Sequence, residues 1–127
     1  MTKKYYDDEA IKRIERMTTS GKPYVAYREL ADYMGKYPND NYSHIINADI
    51  LLQIGKPEEA LQEIEMYKDE PMHGYMVENS IATIYGSILI ELGRFEEGEE
   101  QLKKAIELYK QEHQHESCSA LNRLFKH

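Results

Sequence analysis

The residues best suited to metal or thiol chemistry lie in one segment late in the chain. Cys118 lies shortly after His113 and His115, and thiolate and imidazole are common zinc ligands. Residues two positions apart point in different directions on a helix, and no second cluster completes a ligand set. Cys118 is also the only cysteine, so an intramolecular disulfide is excluded. We therefore predict no metal site and no catalytic thiol here, only a small residue beside a polar linker.

Carboxylates are the most abundant candidates for acid–base chemistry or cation binding. They recur at similar places in two predicted helices, as Glu58, Glu59, Glu63 and Glu65, and as Glu96, Glu97, Glu99 and Glu100. The Asp/Asn/Gly loop of a calcium site is missing, as are nucleophile-elbow, phosphate-loop and HExxH motifs. These groups therefore predict solvated helix faces, and we expect a protein that is not an enzyme and needs no cofactor.

The charge balance narrows the classes of partner. The chain has 16 basic and 23 acidic residues, a net charge of −7, and the excess acid lies after residue 40. Nucleic-acid binding needs clustered basic residues, so we expect none. The longest charge-free apolar segment, residues 79–90, is shorter than the roughly 20 residues of a spanning helix. Without an apolar stretch after the first lysines, we expect no membrane association and a cytoplasmic location.

Glycines at nearly regular intervals indicate an internal repeat. Gly21 and Gly55, each followed by Lys-Pro, are 34 residues apart, and Gly93 follows 38 residues later. Such a glycine ends one helix, and a proline two residues later starts the next. A small residue lies five positions after each glycine, at Ala26, Ala60 and Gly98. No segment alternates like a strand, so each unit is predicted to be a helix, a tight turn and a second helix.

The period, the turn glycines and the small packing residues together resemble the tetratricopeptide repeat, most clearly over residues 84–108. The resemblance implies an all-α fold, an α-solenoid of antiparallel helix pairs in a single domain at residues 1–127. The repeats are expected at about 7–40, 41–78 and 79–112, with a capping helix at about 117–126 whose apolar face is Leu121, Leu124 and Phe125. Seven helices are predicted, at 5–19, 23–36, 41–54, 57–68, 77–92, 95–112 and 117–126.

The repeat register also predicts which side chains pack. The residues expected inside are Ala26, Leu30, Ala48, Leu51, Ala60, Ile64, Gly86, Leu89, Leu102 and Ala105. His44 lies where the family carries a large packing residue, so we expect it to be partly buried and hydrogen-bonded. Tyr33 and Tyr67 are predicted to pack as well. An interface role is an open alternative for at least one of Tyr5, Tyr6, Tyr24, Tyr27 and Tyr42, because tyrosine suits interfaces.

The resemblance implies a non-catalytic protein–protein interaction module that binds a peptide segment or partner protein on its concave face. Two alternatives stay open: a self-associating homo-oligomer, and a regulatory sensor subdomain of a larger protein. The groove residues that the resemblance implies include Ile11, Glu15, Tyr42, Ile45, Asp49, Thr83, Ile84 and Ser87.

The groove chemistry predicts the kind of ligand. Members that grip the acidic C-terminus of heat-shock chaperones use Lys, Asn and Arg at positions that here hold Ile11, Glu15, Ile46, Ser80 and Ile84. That clamp is therefore missing, and Glu15, Asp49 and Glu91 would repel an acidic peptide. We expect an apolar, neutral to basic segment held mainly through Tyr42 and Ile45. The alternative is that the isoleucines pack between helices and the groove is empty.

Overall fold

Six helices make up the secondary structure of the described chain. A computed structural model describes the backbone of residues 5–124 and the side chains of residues 5–114. No strand occurs in this range, which confirms the predicted all-α class. The helices are α1 (Asp8–Thr19), α2 (Pro23–Lys36), α3 (Asn41–Gln53), α4 (Pro57–Tyr67), α5 (Val77–Glu91) and α6 (Phe95–Leu124).

The turn glycines adopt the conformation that the sequence predicts. The φ angles of Gly21, Gly55 and Gly93 are 80°, 86° and 82°, a left-handed region in which only glycine is unstrained. In each turn the residue after the glycine donates its amide to a carbonyl near the helix end, for example Lys56 to Leu51 at 2.8 Å. This hydrogen bond closes the helix in the Schellman manner and reverses the chain into the next helix.

Consecutive helices pair as α1–α2, α3–α4 and α5–α6, and the pairs stack side by side. We call α1, α3 and α5 the first helices, and α2, α4 and α6 the second helices. The first helices form one layer in which α3 lies between α1 and α5. Helix α3 also contacts α2 and α4, so it is surrounded on most sides and supplies the largest share of the core.

The predicted packing register is confirmed for nine of its ten residues. Eight appear among the buried hydrophobic residues, and Gly86 is buried as well. Leu102 is only half-buried; it packs against Gly86, where an added β-carbon would lie 2.9 Å from its side chain. The repeat register therefore locates the core correctly.

The end of the chain differs from the expectation. Helix α6 runs without a break through the predicted linker at 113–116, so the predicted helix at 117–126 is not a separate element. The physical reason is that no helix-ending residue follows: Gly98 is the last glycine of the chain, and no proline comes after it. Polar residues alone do not stop a helix. The predicted apolar face of Leu121, Leu124 and Phe125 lies outside the described side chains.

Among the helices described, none combines the length and the apolar composition needed to cross a membrane.

Candidate partner-binding surface

The predicted groove residues all lie on the three first helices. Glu15 is on α1, Asp49 is on α3, and Thr83 and Ser87 are on α5. Helix α3 separates α1 from α5, which do not contact each other in the described chain. We call the side of this layer that carries these four residues the inner surface.

Three of the predicted contact residues are packing residues. Ile11, Ile45 and Tyr42 are only 1%, 0% and 6% exposed and belong to one buried hydrophobic cluster. The expectation that a ligand is held mainly through Tyr42 and Ile45 is therefore corrected. Ile11 and Ile45 are buried, as the alternative of isoleucines that pack in the fold expects.

The Tyr42 hydroxyl is close to groups on both neighbouring first helices. The carboxylate of Glu15 on α1 and the hydroxyl of Ser80 on α5 both act on its pKa. Burial raises the pKa of Tyr42, and the nearby Glu15 charge raises it further, so the phenol keeps its proton. The protonated Tyr42 phenol is therefore a neutral neighbour of the Glu15 carboxylate.

Two carboxylates, Glu15 and Asp49, form the polar centre of the inner surface, and we call them the acid pair. Burial raises the pKa of both carboxyl groups above their usual values. The negative charge of Asp8 and, as the smallest contribution, that of Asp49 also raise the pKa of Glu15. Neither forms a salt bridge within the described residues. The nearby Lys12 pairs with Asp8, with Nζ 3.1 Å from Oδ2, and its charge also lowers the pKa of Glu15 in part.

The α5 part of the inner surface is neutral around Thr83 and Ser87, and the exposed Glu91 ends the helix. Thr83 is exposed, and Ser87 and Ile84 are half-buried, with Ile84 packed against the core. The Thr83 hydroxyl donates to the Asn79 carbonyl at 2.8 Å and the Ser87 hydroxyl donates to the Thr83 carbonyl at 2.9 Å. Both hydroxyl oxygens can still accept a hydrogen bond. This region can therefore contact a polar or neutral segment without charge.

A buried polar cluster around Asp40 is a feature that the sequence analysis missed. The Tyr33 hydroxyl donates to Asp40 Oδ2 at 2.6 Å, and His73 Nε2 lies 2.9 Å from Asp40 Oδ1. Asp40 also caps α3 through the Tyr42 amide, and the Tyr6 ring stacks on His73 at 3.6 Å. The cap position was readable from sequence, whereas His73 comes from a loop 33 residues later. The cluster joins four chain segments and has a structural role.

His44 behaves as the sequence analysis predicted. Its Nδ1 atom lies 2.6 Å from Glu63 Oε1, and its ring stacks on Tyr67 at 3.7 Å. The hydrogen bond to His44 lowers the pKa of Glu63. Tyr33 is buried and Tyr67 is half-buried, which confirms both as packing residues.

The remaining candidates from the sequence are the metal ligands near the end of the chain and the interface tyrosines. His115 and Cys118 lie outside the described side chains, and no group of three or more potential metal ligands occurs within the described part. Tyr5, Tyr24 and Tyr27 are exposed, whereas Tyr6 stacks on His73.

Comparison with known families agrees with the helix pairing. Residues 81–112 match the tetratricopeptide repeat, a span that covers most of α5 and the first part of α6. Together with the all-helical paired architecture, this match confirms the resemblance read from the sequence. The comparison with curated proteins found no match.

Proposed function

We propose that this tetratricopeptide repeat protein is a non-catalytic interaction module whose inner surface binds a neutral to basic segment of a partner protein. Tetratricopeptide repeats suggest protein–protein interaction in general. The specific support is the acid pair: two half-buried carboxylates on adjacent first helices, without a salt-bridge partner among the described residues.

The acid pair has an energetic cost that a cationic partner would relieve. Burial disfavours the charged form of a carboxyl group, which is why the pKa of both Glu15 and Asp49 is raised. A lysine or arginine of a bound segment would form a direct ion pair in a partly desolvated place, where ion pairs are stronger than at an open surface. The planar guanidinium of arginine can contact two carboxylates at once.

The buried residues of the predicted groove have a supporting role in this proposal. The Tyr42 hydroxyl is a neighbour of the Glu15 carboxylate, and Ile11 and Ile45 belong to the buried core beneath this surface. The neutral surface at Thr83 and Ser87 would contact the uncharged part of the same segment. A regulatory subdomain of a larger protein would use this surface in the same way.

A titration with two labelled peptides tests the proposal. The peptides have the same length and apolar residues, with Arg and Lys in one replaced by Glu in the other, and binding is measured by fluorescence anisotropy. We expect the basic peptide to bind more tightly. Asp49→Asn and Glu15→Gln should each weaken it about tenfold or more, since removing one partner of a partly buried charge pair lowers affinity strongly.

Glu65→Gln on α4 is the matched control, because Glu65 is exposed and lies on a second helix. It removes the same charge without touching the inner surface, so we expect unchanged affinity. Tighter binding of the acidic peptide would contradict the proposal. An equal loss of affinity in Glu65→Gln and Asp49→Asn would show that binding depends only on the net charge of the protein, and this would also contradict the proposal.

A further inference from the structure

The outward side of α2 is an exposed face with an unusual composition. Tyr24 and Val25 are 69% and 45% exposed, whereas Ala26 and Leu30 of the same helix are buried. Helical periodicity places a set of exposed residues together on the side opposite the core. We call this set the α2 face; it consists of Tyr24, Val25, Arg28, Ala31, Asp32 and Gly35.

The corresponding places in the other two pairs are acidic. In the repeat register Tyr24 and Val25 match Glu58 and Glu59 of α4, and Glu96 and Glu97 of α6. Acidic residues in the first turn of a helix are favoured by the helix dipole, and α2 has none there. The fold therefore does not require apolar residues at these positions, and the α2 face lacks a stabilising feature that α4 and α6 possess.

Gly35 gives a second indication that something approaches this face. It lies in the last turn of α2, and a β-carbon built on it would have no atom within 4 Å. Glycine inside a helix costs up to about 1 kcal/mol relative to alanine, and no contact within the described chain accounts for it. A missing side chain permits close approach of another surface at this point.

The charges of the α2 face are self-complementary. Arg28 and Asp32 are exposed, one helical turn apart, and neither forms an ion pair with another described residue. If two copies pack α2 against α2 in opposite directions around a two-fold axis, Arg28 of each copy faces Asp32 of the other. The same register places Tyr24 and Val25 of one copy over Gly35 of the second copy. Two-fold contacts are self-complementary in this way.

Long-range electrostatics favour the same approach. Residues 1–40 carry 8 basic and 7 acidic side chains, whereas residues 41–127 carry 8 basic and 16 acidic ones. Two copies that meet through the N-terminal pair therefore keep their acidic parts away from each other.

We propose that two copies of this chain associate through an antiparallel, two-fold contact of their α2 faces. This association uses a different surface from the inner surface and does not depend on the proposed function. Because a single helix of 14 residues makes a small interface, the dimer should be weak, with a Kd in the range of about 10–1000 µM. Because salt screens the two Arg28–Asp32 pairs, the association should weaken as the salt concentration rises.

Sedimentation velocity over a concentration series at low salt, with charge-swapped variants, tests this register. Arg28→Asp leaves two acidic residues on the α2 face and Asp32→Arg leaves two basic ones, so each variant alone should stay monomeric. An equimolar mixture of the two should form a heterodimer, because every charge again meets its opposite. We expect dimer formation by the wild type and by the mixture, and at least a tenfold weaker association for each variant alone.

Gln62→Asp on α4 is the control, since Gln62 is the repeat equivalent of Arg28 and is also exposed; its dimerisation should equal that of the wild type. Circular dichroism verifies that each variant is folded. Wild-type protein that stays monomeric throughout the series would overturn the proposal, as would single variants that dimerise like the wild type. A mixture that stays monomeric would also overturn it, because the Arg28–Asp32 register would then be wrong.

Discussion

Gly98 of α6 lies directly against the backbone of Gly86 in α5. A β-carbon at Gly98 would be 2.9 Å from the Gly86 carbonyl oxygen and 2.6 Å from Cγ1 of Ile90. Because part of this obstruction is backbone, neither helix can accommodate the extra atom without moving. We therefore expect Gly98→Ala to lower the free energy of unfolding by about 1–3 kcal/mol, measured as a lower urea midpoint.

Gly35→Ala is the matched control for Gly98→Ala. Both changes add one methyl group to a helix, but a β-carbon at Gly35 meets no atom within 4 Å. In dilute, monomeric protein we expect unchanged stability or a gain of up to about 1 kcal/mol. Equal losses in the two variants would show that the α5–α6 contact is not close at Gly98.

Tyr33→Phe tests the buried Asp40 cluster. The Tyr33 hydroxyl accepts from the Asp7 amide at 2.9 Å and donates to Asp40 at 2.6 Å. Burial and the neighbouring Asp40 raise the pKa of Tyr33, so this donor persists throughout the usual pH range. Removing it leaves the buried carboxylate short of a partner, and we expect a loss of about 1–3 kcal/mol in urea unfolding.

Tyr37→Phe is the control, because it removes a tyrosine hydroxyl that does not contact Asp40. Its ring lies 4.9 Å from that of Tyr33, and its hydroxyl forms no hydrogen bond with another described residue. We expect a change of no more than about 0.5 kcal/mol. If Tyr33→Phe changes stability no more than this control, the Tyr33–Asp40 hydrogen bond is not important for the fold.

The turns and the core were predictable because their signals are local. Gly55 and Pro57 specify a helix end and a helix start within three residues, and small residues such as Ala60 mark a close crossing at a fixed distance from the turn. The described helices begin and end within about three residues of the predicted bounds, except α6.

The accessibility of the inner surface was not predictable, for two physical reasons. Helix α3 contacts four other helices, so its apolar residues point in several directions and periodicity cannot distinguish a buried face from an exposed one. The groove positions that the family resemblance implies include Tyr42 and Ile45, and they carry no information on how closely α3 packs against its neighbours. The Asp40–His73 contact depends on the path of a loop, and no spacing rule predicts that path.

Glu63→Gln tests the hydrogen bond between α3 and α4. The bond to His44 lowers the pKa of Glu63 below its usual 4.5. A lowered pKa in the folded state stabilises the fold above the unfolded pKa, and this contribution is lost as pH falls through the folded pKa. We expect Glu63→Gln to be less stable than the wild type by about 0.5–1.5 kcal/mol at pH 7, and the difference to shrink progressively in urea melts below pH 4.5. A difference that is the same at pH 7 and pH 3 would contradict this prediction.

Asp49→Asn should show the opposite behaviour. Burial raises the pKa of Asp49 above its usual 3.8, so the charged form destabilises the fold at neutral pH. That unfavourable contribution is fully present above the folded pKa and disappears below the unfolded pKa. The neutral amide has no such penalty, so we expect Asp49→Asn to be more stable than the wild type by about 0.5–2 kcal/mol at pH 7. Below pH 3.8 the two proteins should converge.

Asp32→Asn is the control for this effect, because Asp32 is exposed on α2; in dilute protein its stability should match the wild type at both pH values. Combined with the peptide titration, the prediction is a variant that is more stable and yet binds the basic peptide less tightly. Such an exchange of stability for affinity is expected where a charge is retained for binding. Loss of stability in Asp49→Asn at pH 7, or a gain that persists at pH 3, would show that burial of the Asp49 charge carries no cost.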